Sequence, residues 1–212
     1  MKLFFHYCHQ GFSNCYILGT DFEEGTNKTG ARNAIIIDPG VMDGTILNII
    51  EKHDYTLRGV FITHNHRSHV QGLRAIRRIY DVAIYAVNHV ILDQRTIMVR
   101  DGETVTVGEF NIEVISVPGH SADSAVFKIE HMLFTGDALT AGLVGGTASS
   151  YGSEVQMRAL RSKILSIPGN FVIMPGHGPP SSLEAERRFN VGIQHFEQHK
   201  KARPTFNLEI MG

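Results

Sequence analysis

The segment Thr63-His64-Asn65-His66-Arg67-Ser68-His69 sets three imidazoles within six residues, at the exit of the apolar run Val60-Phe61-Ile62. Three later segments repeat the grammar: Val117-Pro118-Gly119-His120, Leu133-Phe134-Thr135-Gly136-Asp137 and Ile173-Met174-Pro175-Gly176-His177. Each couples an apolar run, which reads as a buried strand, to a glycine-containing turn and then to His or Asp. Five histidines and one aspartate at strand ends are donors enough for one metal ion, or for two, and this mixture of nitrogen and carboxylate oxygen suits Zn²⁺. A bound ion lowers the pKa of its water from about 15.7 toward about 7 and polarises a scissile carbonyl. The chemistry these residues point to is therefore metal-assisted hydrolysis, with no protein nucleophile required.

Other catalytic arrangements find less support. The chain has no G-x-S-x-G elbow, and neither Cys8 nor Cys15 has a histidine partner by context. Gly142-Leu143-Val144-Gly145-Gly146 lacks the G-x-G-x-x-G frame after a strand, so it reads as a flexible loop near the metal and not as a phosphate cradle. His6, His9 and His53 have no metal-type spacing and read as surface or partly buried residues.

The elements that must position the donors follow from hydrophobic periodicity. Residues 3–8 and 15–18 read as two strands joined by a turn over 9–13, and Gly19 to Gly30 as a polar surface loop. Ile35-Ile36-Ile37 is a continuous β-branched run, suited to a strand covered on both faces. Asp43 caps a helix whose Ile46, Leu47, Ile49 and Ile50 fall on one side. After the histidine cluster, Val70, Leu73, Ile76 and Ile79 predict one amphipathic helix with Arg74, Arg77 and Arg78 outward, and Ser68 is placed to cap it. Val82 to Tyr85 is a strand. From Ile97 to Phe134 the alternation is β-like, in Thr104–Val107, Ile112–Ile115, Ala125–Phe127 and Met132–Phe134. Ser153 opens a further helix with Val155, Leu160 and Ile164 inward. Phe171-Val172-Ile173 is the last strand, and Ser181 or Ser182 caps a closing helix that runs to about residue 200.

At 212 residues the chain reads as a single domain over 1–212, with no linker and no low-complexity tract. The net charge is -1 and the basic residues are dispersed, so no footprint for nucleic acid is visible. The longest basic cluster, Lys200-Lys201-Ala202-Arg203, reads as a solvated helix end. No apolar stretch approaches the ~20 residues needed to span a bilayer, and Met1 to Cys8 does not read as a signal peptide. Cys8 and Cys15 are expected to be reduced and buried, and the cytoplasm is the simplest compartment. The expected partner is a small-molecule substrate, with neither nucleic acid nor membrane, and a homo-oligomer is left open.

The order of these segments resembles the metallo-β-lactamase superfamily, whose signature is T-H-x-H-x-D-H followed by G-H, G-D and a second G-H. Asp38-Pro39-Gly40 after Ala34 to Ile37, and Ser13-Asn14-Cys15-Tyr16 upstream, look like that family's opening strands. The resemblance covers nearly the whole chain. Its nearest flavour is the glyoxalase II-like group, because Pro175-Gly176-His177-Gly178-Pro179-Pro180 leads into Glu186-Arg187-Arg188. It implies an α/β four-layer αββα sandwich. It also implies a first metal site of His64, His66, His120 and Asp137, and a second of His69, His177 and the bridging Asp137. One residue departs from the signature: Ser68 stands where the family has an aspartate ligand. A neutral hydroxyl is a poor substitute for a carboxylate, and the loss leaves two dications less neutralised at close range. One zinc ion is therefore expected, with the second weaker or absent and Fe or Mn also compatible.

By this resemblance Asp137, His69 and His177 carry the catalytic work, and the enzyme is a short hydrolase of thioesters or related activated esters, like a hydroxyacylglutathione hydrolase. The basic residue that this group often carries near Gly145-Gly146 is missing here, and only 35 residues follow His177, room for one or two helices and a more open pocket. Two other readings stand beside it. One is a mononuclear iron dioxygenase of persulfides, which needs only one well-held ion. The other is a non-catalytic metal-binding scaffold, with Ser68 as the first sign of decay.

Overall fold

In the computed structural model, which describes residues 1–21 and 32–201 (the last five as backbone only), two six-stranded sheets pack face to face with helices outside each. The N-terminal sheet is built from β1 (Lys2–Cys8), β2 (Ser13–Gly19), β3 (Arg32–Ile37), β4 (Tyr55–Phe61), β5 (Ala83–Ala86) and, beyond the short β6 (Val90–Ile91) and β7 (Gln94–Arg95), β8 (Ile97–Met98). Its order is β1-β2-β3-β4-β5-β8, antiparallel through β3 and parallel from there on. The C-terminal sheet begins with β9 (Thr104–Val107), β10 (Phe110–Ser116), β11 (Ala125–Ile129) and β12 (Met132–Gly136). After the hairpin β13 (Leu139–Thr140) and β14 (Leu143–Val144) it gains β15 (Val172–Pro175) and β16 (Ser181–Ser182). Its order is β16-β15-β12-β11-β10-β9.

The alternation of side chains explains the layers. In β2 and β3, Cys15, Ile17, Ala34 and Ile36 face outward to the helices, while Tyr16, Leu18, Ile35 and Ile37 face the other sheet. In β11 and β12 the same period puts Val126 and Leu133 on the outer side and Phe127 and Phe134 between the sheets. Three separate apolar cores result, helix–sheet, sheet–sheet and sheet–helix, so the fold is the four-layer αββα sandwich. Both cysteines are free and fully buried on β1 and β2.

On the outer face of the first sheet, α1 (Gly44–Lys52) starts at Asp43, whose carboxylate accepts from the amides of Thr45 and Ile46, and it buries Ile46 and Ile50. The single helix expected across Val70 to Ile79 is instead two, α2 (Arg67–Val70) and α3 (Leu73–Ile79). Gly72 lies between them with its N–H on Pro39 O, and a Cβ there would come within 2.6 Å of that same oxygen. The apolar spacing of three also falls short of 3.6, so the stripe rotates by about 60° at each step. By Ile79 it has swung off the core, and that side chain is 52% exposed. Nor does Ser68 cap the helix: it lies inside α2, whose N-cap position is His66.

Outside the second sheet, α4 (Ser150–Ala159) begins three residues before the expected Ser153, because Ser149 Oγ accepts from Gly152 N–H. It runs on into a single π-helical turn over Leu160–Ile164. The closing helix is split into α5 (Leu183–Phe189), capped by Ser182, and α6 (Val191–Lys201). The break falls at Asn190, whose Oδ1 accepts from Ile193 N–H. Residues 22–30 of the expected surface loop, and the end of the basic cluster at Ala202-Arg203, lie outside the described residues. Among the described residues no helix is long and apolar enough to cross a membrane.

Candidate metal centre

All six donor-bearing residues sit just past the carboxyl ends of strands, along one rim of the sandwich. His64, His66 and His69 follow β4, His120 follows β10, Asp137 follows β12 and His177 follows β15. The ladder between β12 and β15 shifts register between Phe134 and Gly136, immediately before Asp137, and this local irregularity re-aims the chain at the rim. Cross-sheet hydrogen bonds fix the rim: Ala125 N–H donates to Thr63 O and Asn14 N–H to Gly176 O, both at 2.8 Å.

The structure brings the six into two clusters that share Asp137: His64, His66, His120 and Asp137, then His69, Asp137 and His177. In the first, His66 Nδ1 lies 2.9 Å from His64 Nε2 and 3.0 Å from His120 Nε2. Asp137 Oδ2 is 3.7 Å from His64 Nε2 and 3.4 Å from His120 Nε2. Ligands about 2.1 Å from a tetrahedral ion stand about 3.4 Å from one another, so these spacings bracket the edges of such a tetrahedron. In the second cluster His69 Nε2 is 3.4 Å from Asp137 Oδ1, and His177 Nε2 is 3.5 Å from Asp137 Oδ2.

In four of the five rings the other nitrogen is engaged, and this settles which one faces the centre. A carbonyl oxygen only accepts, so His120 Nδ1–H donates to Gly146 O and His177 Nδ1–H to Phe12 O, each at 2.7 Å. His69 Nδ1 is 3.1 Å from Asp38 Oδ2 and His64 Nδ1 is 3.1 Å from Thr63 Oγ1. Four rings thus turn Nε2 inward, while His66 presents Nδ1. Outer partners of this kind orient ligands and raise their basicity.

Asp38 is a residue whose role here is invisible in the spacing of the sequence. Its Oδ1 accepts from Thr63 N–H at 2.8 Å, and its Oδ2 accepts from Thr63 Oγ1–H at 2.6 Å and from His69. Its φ of 52° lies in the left-handed region, uncommon for a residue other than glycine, and the reach of this buried carboxylate accounts for it. Asp123 is the second such residue. It accepts from Asn65 N–H at 3.0 Å, from the Asn88 amide at 2.6 Å and from the Ser121 hydroxyl, joining the His64–His66 loop to the His120 loop. Both pairings connect residues far apart in the chain, and no local pattern announces them.

The charges fit a cation. Burial works against a proton on His69, but the Asp38 and Asp137 carboxylates outweigh it and push the imidazole up to about 10. Asp137 is held down to about 2: burial opposes its charge, and His69 with its neighbours more than compensates. His64 is pushed down to about 4, first by burial and then by His69. His69 Nε2 and Asp137 Oδ1 are nevertheless buried without a hydrogen-bond partner, because 3.4 Å in this orientation is too loose for one. An imidazole nitrogen and a carboxylate oxygen, both buried and unpartnered, are what a divalent ion would satisfy, displacing the proton from His69 as it binds.

Ser68 is half-buried in α2, with its carbonyl accepting from Ser13 Oγ–H at 2.6 Å. The Gly142–Gly146 segment is a short hairpin and not an open loop. Glu186 accepts from Gly142 N–H and the Asn190 amide, pinning the hairpin to α5. Gly146 then supplies the carbonyl that holds His120.

A model of the metallo-beta-lactamase superfamily matches residues 10–177 of the chain. The hydroxyacylglutathione hydrolase GloC of Haemophilus influenzae is 29% identical over 185 residues, covering 75% of this chain and 86% of the relative. A hydroxyacylglutathione hydrolase of Shewanella denitrificans is 33% identical over 154 residues, covering 68% of this chain but only 56% of the relative, so the match spans about half of that protein. Among solved structures, ETHE1 from Myxococcus xanthus superposes with a TM-score of 0.78 at 25% identity, covering 97% of this chain and 93% of the other.

Proposed function

Since the chain belongs to the metallo-beta-lactamase superfamily, we propose that it is a metal-dependent hydrolase of thioesters or related activated esters. The observation that carries this reading is the pair of donor clusters around Asp137, with His69 Nε2 and Asp137 Oδ1 buried and unpartnered. His64, His66, His120 and Asp137 would hold the first ion, and His69, His177 and Asp137 a second, weaker one. When bound, such an ion supplies Lewis acidity, bringing water near neutrality in pKa and polarising the carbonyl. The hydroxyacylglutathione hydrolases among its relatives support the substrate class.

The protein's own groups do the rest. Asp137, held at about 2, stays an acceptor at any working pH and orients an attacking water between the clusters. His120 and His177 have committed their Nδ1–H groups, so they offer lone pairs inward and serve as ligands, not as proton donors. Neither cysteine stands where it would form an acyl intermediate, since both thiols are buried on β1 and β2.

The test is metal analysis of protein purified without chelator, followed by assay on a panel of small thioesters and lactones with oxygen uptake recorded in parallel. Chelation should abolish thioester turnover and added Zn²⁺ should restore it. Ferrous iron with oxygen consumption on a persulfide would replace this reading with the dioxygenase one. Turnover surviving thorough metal removal would overturn the mechanism.

A further inference from the structure

A cleft of about 410 Å³ opens beside the histidine loop, lined by Asn65, Arg67, Val70, Gln71, Arg74 and Leu92. On one side, Arg67, Val70 and Gln71 reach it from α2 and its C-terminal end, and Arg74 from the first turn of α3. His69 turns the other way, into the metal centre. The opposite wall is the turn carrying Leu92 and Asp93. A single carboxylate oxygen ties the two walls together, since Asp123 Oδ2 accepts from both Asn65 N–H and the Asn88 amide. Asn65 stands between His64 and His66, so the cleft is fixed relative to the first donor cluster.

The two cations of the cleft differ. Arg74 is neutralised by Asp93 at 2.6 Å. Arg67 donates from Nε to Gln71 Oε1 at 3.2 Å, which orients its guanidinium, and among the described residues no carboxylate pairs with it. An oriented guanidinium with its terminal N–H groups uncommitted matches the fork of a carboxylate or a phosphate.

We propose that this cleft receives an anionic group at the end of the substrate remote from the scissile bond, with Arg67 as its counter-ion. Leu92 takes the intervening carbons, and the carboxamides of Asn65 and Gln71 border the anion. The role assigned to the anion rests on the hydrolase reading above. Binding to the cleft does not require turnover, so the two can fail separately.

The experiment uses the metal-loaded protein and matched thioethers, which lack the scissile thioester: S-butyl-3-mercaptopropionate, its neutral amide, and 2-(butylthio)ethyl phosphate for the phosphate arm. Affinities are measured by calorimetry for the wild type, Arg67→Ala and Arg67→Lys, alongside kcat/KM on the corresponding thioesters. One charge-assisted contact at a partly solvated site corresponds to about a tenfold preference for the anion. That preference should fall to about twofold or less in Arg67→Ala, recover in part in Arg67→Lys, and shrink with added salt. Comparing the carboxylate and phosphate arms identifies the anion. Equal wild-type affinity for charged and neutral probes, or a preference that survives Arg67→Ala, overturns the proposal. Preferential binding without turnover of any thioester keeps the cleft and removes the hydrolase reading.

Discussion

Replacing Asp123 by alanine tests whether the rim is preorganised by a buried carboxylate. Asp123 is 7% exposed and accepts from Asn65 N–H, the Asn88 amide and the Ser121 hydroxyl. Hydrogen bonds to a charged acceptor contribute about 1.5–3 kcal/mol each, and donors left unpaired add a further penalty. The Ser121 hydroxyl can turn to solvent, and water can partly reach Asn65 and Asn88, so the expected loss of stability is about 2–4 kcal/mol. The loops that carry His64 with His66 and His120 would lose their common anchor. Outer partners of ligands typically govern metal affinity by about 10–100-fold, and a drop in that range is expected for the first ion. Asp123→Asn keeps one acceptor oxygen and should fall between. Urea denaturation of the metal-free protein reads the first quantity, and competition with a chelating dye reads the second. A variant that loses stability yet binds its first ion within twofold of the wild type would make Asp123 a staple of the fold alone. A loss under about 0.5 kcal/mol would refute the reasoning altogether.

Ser68→Asp should raise the metal-to-protein ratio toward two, measured by elemental analysis; a wild type already holding two ions with equal tightness would show that Ser68 does not weaken the second. Cys8→Ser and Cys15→Ser, normalised for folded protein, should leave thioester turnover within a few fold, and trapping of an acyl group on either thiol would contradict the mechanism. The metal-free protein should be most stable near pH 6.5. His64 is depressed to about 4 in the fold, so its contribution is lost as pH falls from 6.5 toward 4, by about 3 kcal/mol; His69 is raised to about 10, so its contribution is full below 6.5 and lost as pH rises toward 10. Urea midpoints that keep climbing from pH 6.5 to pH 9 would contradict the His69 assignment, and midpoints that do not fall between pH 6.5 and pH 5 would contradict that of His64.

The donor segments were legible because each lies at the exit of an apolar run, and a buried strand is the one element whose pattern survives in a few residues. Ile35 to Ile37, Phe61, Phe127 and Phe134 mark the cores for the same reason. Helix continuity was less legible. Nothing in Val70, Leu73, Ile76 and Ile79 shows that Gly72 must approach Pro39 and Val41 too closely for a side chain. The supporting carboxylates were harder still. Asp38 looks like a turn residue beside Pro39-Gly40, and Asp123 like a loop acid. Their partners at Thr63, His69, Asn65 and Asn88 become neighbours only once the sheets have packed.

The same packing bears on what Ser68 means. A site in decay should relax: water or a new side chain should fill it, and buried polar atoms should acquire partners. Here Asp38 still holds His69 through Nδ1, Phe12 still holds His177, and Gly176 still leaves room, since a Cβ there would stand 2.5 Å from Asp137 Oδ1. His69 Nε2 and Asp137 Oδ1 remain buried and unsatisfied, each at a cost of about 1–3 kcal/mol unless something binds between them. On the hydrolase reading proposed above, a fold that keeps this tension without the carboxylate at position 68 would retain a use for positive charge at the second cluster. On the same reading, Ser68 would lower the affinity of that position for a dication without erasing it, and the asymmetry between the two clusters would belong to the working site.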